Sequence, residues 1–154
     1  MKIKNASIAD VTKISELIST FANMQLMLNR PLSELYENIR DYFVCIEDDE
    51  IVGVCGLHVL WEDLAEIKSL AVKKAKQKKG IGSALVRHCI EDAKRLKIDK
   101  VFALTYNPQF FIKNGFIITD KSSFPQKIWT DCVKCSKFPK CDEEAVIINL
   151  KPKE

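Results

Sequence analysis

The chain has 154 residues, 47% of them hydrophobic and 8% aromatic, which fills one core, so a single domain over residues 1–154 is expected. Its 29% charged residues sum to a net charge of only +3, without the one-signed surface that phosphate-backbone binding needs, which argues against a nucleic-acid partner. Met1-Lys2-Ile3-Lys4-Asn5 lacks the apolar core of a secretion signal, and no stretch approaches the ~20 apolar residues of a membrane span, so a cytoplasmic protein with reduced cysteines and no membrane partner is expected.

Ser7 is placed to cap a helix over about 8–22, in which Val11, Ile14, Leu17, Ile18 and Phe21 recur at helical spacing. Residues 23–30 connect it to a second helix that begins at Pro31, carries Leu32, Leu35, Tyr36 and Ile39 on one face, and ends near Asp41. Residues 42–46 and 51–60, rich in β-formers and separated by Glu47-Asp48-Asp49-Glu50, predict an antiparallel hairpin, and 66–72 a further strand. Residues 80–96 carry Ile81, Leu85, Cys89, Ala93 and Leu96 in one apolar stripe, the pattern of a helix lying on a sheet. A buried strand at 101–104, a short helix at 108–114 closed by Gly115, and strands at 116–119 and 145–150 follow, with 120–144 irregular. This order specifies an α+β fold with a mixed central sheet and helices on both faces.

The most informative segment is Leu70-Ala71-Val72-Lys73-Lys74-Ala75-Lys76-Gln77-Lys78-Lys79-Gly80-Ile81-Gly82-Ser83, a strand followed by a basic turn, two glycines and a helix start. Glycines admit close approach of a ligand to the backbone, and successive N–H groups at a helix N-terminus attract a pyrophosphate. The Walker and Rossmann patterns do not fit, because Gly80-Ile81-Gly82 has neither a Gly-Lys-Ser/Thr tail nor a third spaced glycine.

Gln-x-x-Gly-x-Gly after an apolar strand resembles the coenzyme A pyrophosphate loop of the GNAT acetyltransferase superfamily, and the order of elements matches that fold. The sequence departs from the pattern at Lys74, where the family often has Pro, and at Lys78, where it often has Gly; Gln77 is a variant of its usual Arg. Leu28-Asn29-Arg30, Glu66-Ile67-Lys68-Ser69-Leu70-Ala71-Val72, Val101 through Phe116, and Phe124 through Cys132 with Cys135 and Cys141 are similar to the acetyltransferase domain of bacterial N-acetylglutamate synthases. That resemblance implies acetyl-CoA as cofactor and a small amino acid, glutamate or glutamine, as acceptor, in amino-acid biosynthesis with arginine biosynthesis as one setting. Arginine feedback through the kinase-like domain of the larger synthases is not expected. A homodimer is compatible, since GNAT proteins often pair.

Attack of an amine on a thioester needs a base for the ammonium and a donor for the departing thiolate. The resemblance makes Glu66 the base, with Thr105 and Tyr106 as candidate donors, because Phe111 stands where many GNAT enzymes have a tyrosine. It assigns the cofactor to Leu70, Ala71, Val72, Gln77, Lys78, Lys79, Gly80, Ile81, Gly82, Ser83, Asn107, Phe110 and Phe111, and the acceptor to Leu28, Arg30, Ser69 and Lys127. A guanidinium can hold a carboxylate through two parallel hydrogen bonds. Without the resemblance Glu66 reads as an ordinary strand residue, Thr105 as a strand end satisfying backbone groups, Arg30 as a surface arginine, and His58 and His88 as histidines with no partner spacing.

Cys132, Cys135 and Cys141 are one ligand short of tetrahedral zinc, so a reduced cysteine-rich loop is expected and no metal is assigned. Two other functions remain compatible with the residues: acetylation of a different amine, such as a peptide N-terminus or polyamine, and a non-catalytic coenzyme A-binding or interaction module.

Overall fold

The computed structural model describes residues 1–121 and 143–151. Seven strands, β1 (Lys2–Asn5), β2 (Tyr42–Glu47), β3 (Glu50–Trp61), β4 (Leu64–Val72), β5 (Lys100–Thr105), β6 (Ile117–Thr119) and β7 (Glu144–Asn149), form one mixed sheet in the order β1-β2-β3-β4-β5-β7-β6. The chain divides into two compact units, Met1–His58 with Ile67–Asp92, and Val59–Glu66 with the described residues of Ala93–Glu154.

In the first unit β1 (Lys2–Asn5) pairs antiparallel with β2 (Tyr42–Glu47), and β2 with β3 (Glu50–Trp61). The sequence pattern does not announce β1, which has a single apolar residue, Ile3; pairing along the edge of β2 carries it. A one-turn 3-10 segment at Ile8–Asp10 leads into α1 (Val11–Ala22), and the Asp10 carboxylate accepts hydrogen bonds from the Ser7 N–H at 2.8 Å and the Ser7 hydroxyl at 3.1 Å. Val11, Ile14, Leu17 and Ile18 are buried, as the helical spacing requires.

The second predicted helix is shorter than expected. Pro31 caps α2 (Leu32–Glu37), the Asn38 side-chain amide donates to the Glu34 carbonyl at 2.9 Å, and Ile39–Asp41 forms a separate 3-10 turn. The β2–β3 connection turns on Asp48 and Asp49, whose φ values of 52° and 63° are those of the primed two-residue turn that matches strand twist.

Successive residues of β3 face opposite helices. A Cβ on Gly53 would meet Leu85 and Ile81 of α3 (Ile81–Arg95), and the Cys55 thiol lies 3.5 Å from that of Cys89 on the same helix. Both thiols are fully buried; the hydrogen bond to Cys55 and then burial push the Cys89 thiol well above its ordinary pKa, and burial does the same, less strongly, for Cys45. Val54 points the other way, into a core with Val11, Ile14, Leu17, Ile18, Leu35, Tyr42, Val44 and Ala71. By the same alternation Gly56 and His58 lie on the α1–α2 face.

In the second unit the Leu64–Glu66 part of β4 (Leu64–Val72) pairs parallel with β5 (Lys100–Thr105), setting Glu66 opposite Phe102. β5 pairs antiparallel with β7 (Glu144–Asn149), and β7 with β6 (Ile117–Thr119). Leu64, Phe102 and Ala145 form a small core under Leu60, Leu104 and Ile147. The helix α4 (Pro108–Lys113) is capped by Asn107 and ends at Gly115, whose φ of 96° is a left-handed turn.

A Cβ on Gly56 would stand 3.0 Å from the Tyr42 ring and 3.3 Å from the Lys68 carbonyl oxygen, closer than packing tolerates without movement. Gly56→Val is therefore expected to lower unfolding free energy by about 1–3 kcal/mol, read by chemical denaturation.

Candidate active site

The segment read from the sequence as a phosphate loop is continuous in the first unit. After β4 the chain makes a 3-10 turn at Lys74–Lys76 and enters α3 at Ile81. Two bonds tie its start to the sheet: the Lys73 N–H donates to the Val52 carbonyl at 2.8 Å, and the Gln77 side-chain amide donates to the Val72 carbonyl at 3.0 Å. Lys78 has a φ of 63° and Gly80 a φ of 84°, and nothing lies within 4 Å of the position a Gly80 Cβ would take. The Ala84 N–H closes the first helical turn on the Gly80 carbonyl at 3.0 Å, so Ile81 and Gly82 stand at the helix start, ahead of its own hydrogen-bond ladder.

Lys73 and Lys76 pair with Glu50 at 3.4 Å and Glu47 at 3.3 Å, which tethers the loop to the β2–β3 turn, while Lys74, Lys78 and Lys79 stand exposed. An open left-handed glycine, helix-start amides and surrounding ammonium groups together fit a pyrophosphate. Leu70 and Val72 are half-buried and Ala71 buried in the strand that leads into this loop.

A second group of predicted residues meets on the α1–α2 face of the same unit. Arg30 is buried, with 6% of its surface exposed, and its Nη1 donates to the Glu34 carboxylate at 3.1 Å, so it is no surface arginine. Ser69 is buried at a φ of 57° in the middle of β4, a left-handed conformation that strains a non-glycine residue. Its hydroxyl has no well-formed hydrogen bond among the described residues but lies beside the phenol of Tyr42. Burial raises the pKa of that phenol, against the opposing influences of Ser69 and Arg30. Leu28 is half-buried on the connector before Arg30.

Two residues that sequence reasoning set aside complete this face. The imidazole Nδ1 of His58 lies 2.7 Å from the Asp41 carboxylate, and the charges of Asp41 and Glu34 both act on the Tyr42 phenol. The hairpin register does not announce this pair: continued strand alternation would put residue 41 opposite residue 57 and on the other face from His58, but Asp41 lies in the 3-10 turn Ile39–Asp41, outside the paired residues.

In the second unit Glu66 is half-buried on β4. Thr105 ends β5 with its hydroxyl oxygen accepting the Asn107 N–H at 2.9 Å, so it does satisfy a backbone group as a strand-end residue would. Asn107 accepts the Phe110 N–H at 3.3 Å as the cap of α4, and Phe111 is buried between Phe110 and Phe116 in two edge-to-face contacts. Asn107 and Phe111 thus have structural work whatever else they touch. Tyr106 is half-buried. Lys127, Cys132, Cys135 and Cys141 lie outside the described residues; among the described residues no cluster of three or more His, Cys, Asp or Glu side chains could hold a metal ion. No helix is long and apolar enough to cross a membrane.

An α+β sheet with this order, joined from β4 to β5 through a helix that opens on an anion cradle, defines an acyl-CoA-type transferase fold. The chain belongs to the GNAT acetyltransferase family, whose family pattern matches residues 12–116. An uncharacterized N-acetyltransferase of Chlorobaculum tepidum is 38% identical over 148 residues, 96% of each chain, and an amino-acid acetyltransferase of Mycobacterium tuberculosis is 37% identical over 74% of this chain and 67% of its own. The chain spans only 29% of the longer amino-acid acetyltransferase of Neisseria meningitidis, to which it is 28% identical. Among solved structures, a Mycobacterium tuberculosis protein in complex with coenzyme A superposes with a TM-score of 0.84 at 28% identity, covering 98% of this chain and 100% of that one. The N-acetylglutamate synthase of Neisseria gonorrhoeae shares the fold, with a TM-score of 0.89 at 24% identity over 98% of this chain and 35% of the other.

Gly80→Val is expected to cost about 1–2 kcal/mol from its left-handed backbone alone, because no neighbouring atom obstructs the new side chain. Denaturation of the variant checks this; a cost below about 0.3 kcal/mol would mean the loop relaxes to another conformation.

Proposed function

We propose that the chain transfers the acetyl group of acetyl-CoA to the α-amino group of a small amino acid, glutamate or glutamine, as one acetyltransferase domain over residues 1–154. Acetyl-CoA is the donor of the GNAT family, and its thioester supplies an acyl carbonyl open to attack by an amine. The observation that carries the acceptor assignment is the burial of Arg30 beside Tyr42 and Ser69: a guanidinium kept out of water next to a strained serine suits a carboxylate ligand. The relatives named amino-acid acetyltransferase support the same class of acceptor.

In this reading Gln77 through Ser83 receive the pyrophosphate through backbone N–H groups, with Lys78 and Lys79 adding charge, and the backbone of Leu70 to Val72 holds the remainder of the donor. Asn107, Phe110 and Phe111 border the donor's arm. Arg30 takes the acceptor's α-carboxylate, with Leu28 and Ser69 beside it and Lys127 at its other polar end. Glu66 accepts the ammonium proton so that a neutral nitrogen attacks, and the two protons lost by nitrogen leave one for the departing thiolate and one for solvent. The Thr105 oxygen, already accepting from Asn107, keeps its O–H as the donor toward the leaving sulfur, with Tyr106 as the alternative.

The test is thiol release from acetyl-CoA across a panel of amino acids, peptides and polyamines. Turnover is expected with glutamate or glutamine; turnover with peptides alone would replace the acceptor, and saturable coenzyme A binding without turnover on any amine would leave a binding module. Arg30→Ala is expected to lower the specificity constant for the amino acid about 10- to 150-fold, the loss of one charge-assisted contact of about 1.5–3 kcal/mol, while the Michaelis constant for acetyl-CoA holds. Glu66→Gln is expected to depress turnover with cofactor binding intact, as seen by calorimetric titration of coenzyme A; a wild-type rate would return Glu66 to the role of a strand residue.

A further inference from the structure

The His58–Asp41 pair is built like a proton-handling unit, and the mechanism above does not use it. His58 Nδ1 and the Asp41 carboxylate lie 2.7 Å apart, with side chains 32% and 25% exposed, half-withdrawn from water. A carboxylate at Nδ1 fixes the tautomer with the proton on that nitrogen and turns Nε2 into an acceptor. The ring makes no other hydrogen bond among the described residues. A histidine wanted only for packing has little need of an ionised partner, and one wanted only as a cross-strand tie would be served by any amide.

Its position is the second observation. On β3 His58 shares a face with Val54 and with Gly56, whose missing side chain makes room for the Tyr42 ring. Asp41, its partner, directly precedes Tyr42 and acts on that phenol together with Arg30 and Glu34. The charged groups that act on the Tyr42 phenol are therefore Arg30, Glu34 and Asp41, and Asp41 links that cluster to His58.

We propose that His58, oriented by Asp41, is a second proton acceptor on the acceptor side of the site. Resting on the acetyltransferase reading, this gives the ammonium proton a route to solvent: the N–H bond of the ammonium breaks, the proton passes to the Nε2 lone pair, and the imidazolium, beside the Asp41 carboxylate, releases it to water. No oxidant or further reactant is required, and the imidazole returns to its starting tautomer on each turnover.

The choice of variant separates this role from a structural one. Asparagine places its side-chain N–H near the position of Nδ1, so His58→Asn keeps the bond to Asp41 and removes Nε2. The acceptor used is whichever amine of the panel turns over in the wild-type protein, so replacement of the amino acid by another acceptor would not touch the inference. In His58→Asn the specificity constant is expected to fall about 100-fold or more, with the Michaelis constant for acetyl-CoA and the thermal midpoint unchanged. Asp41→Asn is expected to lower it as well, by removing the carboxylate that orients the ring. A His58→Asn protein that keeps the wild-type specificity constant overturns the proposal and makes the pair a tie between β3 and the turn before β2. Absence of turnover on every amine overturns it together with the acetyltransferase reading.

Discussion

The polar cluster proposed to receive the acceptor depends on one close approach, that of the Tyr42 ring to the bare backbone of β3 at Gly56. Any side chain at 56 would lift the ring. With the ring in place the phenol is almost wholly buried, and it becomes the point about which Arg30, Glu34, Asp41 and Ser69 are arranged. A buried hydroxyl is costly unless polar groups surround it, so the glycine indirectly dictates that a cluster of polar residues be gathered there. Recognition of a carboxylate is a natural use for such a cluster.

β4 carries the consequences in two directions. Ser69 departs from strand geometry at a cost on the order of 1–3 kcal/mol. Three residues earlier Glu66 sits in regular parallel pairing opposite Phe102, and three residues later the chain leaves the sheet for the phosphate loop. A short stretch of one strand thus joins the proposed base, a strained serine and the proposed cofactor cradle by covalent connection alone.

Local pattern made most elements legible. The apolar stripe of α3, the acidic two-residue turn and the left-handed stop at Gly115 are all written in spacing and residue type, and each formed within a few residues of its expected place. β1 was not legible, because an edge strand with one apolar residue is held by its neighbour and not by its own composition. α2 stopped early because the Asn38 side chain captured a carbonyl, a competition that propensity does not register. For the site, the Gln-x-x-Gly-x-Gly segment is a local backbone device and so could be read directly. Arg30 could be selected only through resemblance, since nothing in Leu28-Asn29-Arg30 announces burial. His58 and Asp41 escaped because Asp41 lies in a 3-10 turn beside the ladder, where neither sequence distance nor strand register says who meets.

The three cysteines of the sheet and α3 have a practical corollary. Cys45, Cys55 and Cys89 are fully buried, and the pKa shifts at Cys45 and Cys89 hold them as thiols rather than the reactive thiolate. To an alkylating reagent or a thiol-reactive dye the native fold makes them a silent background. The labelling that these three gain on denaturation therefore counts the intact core.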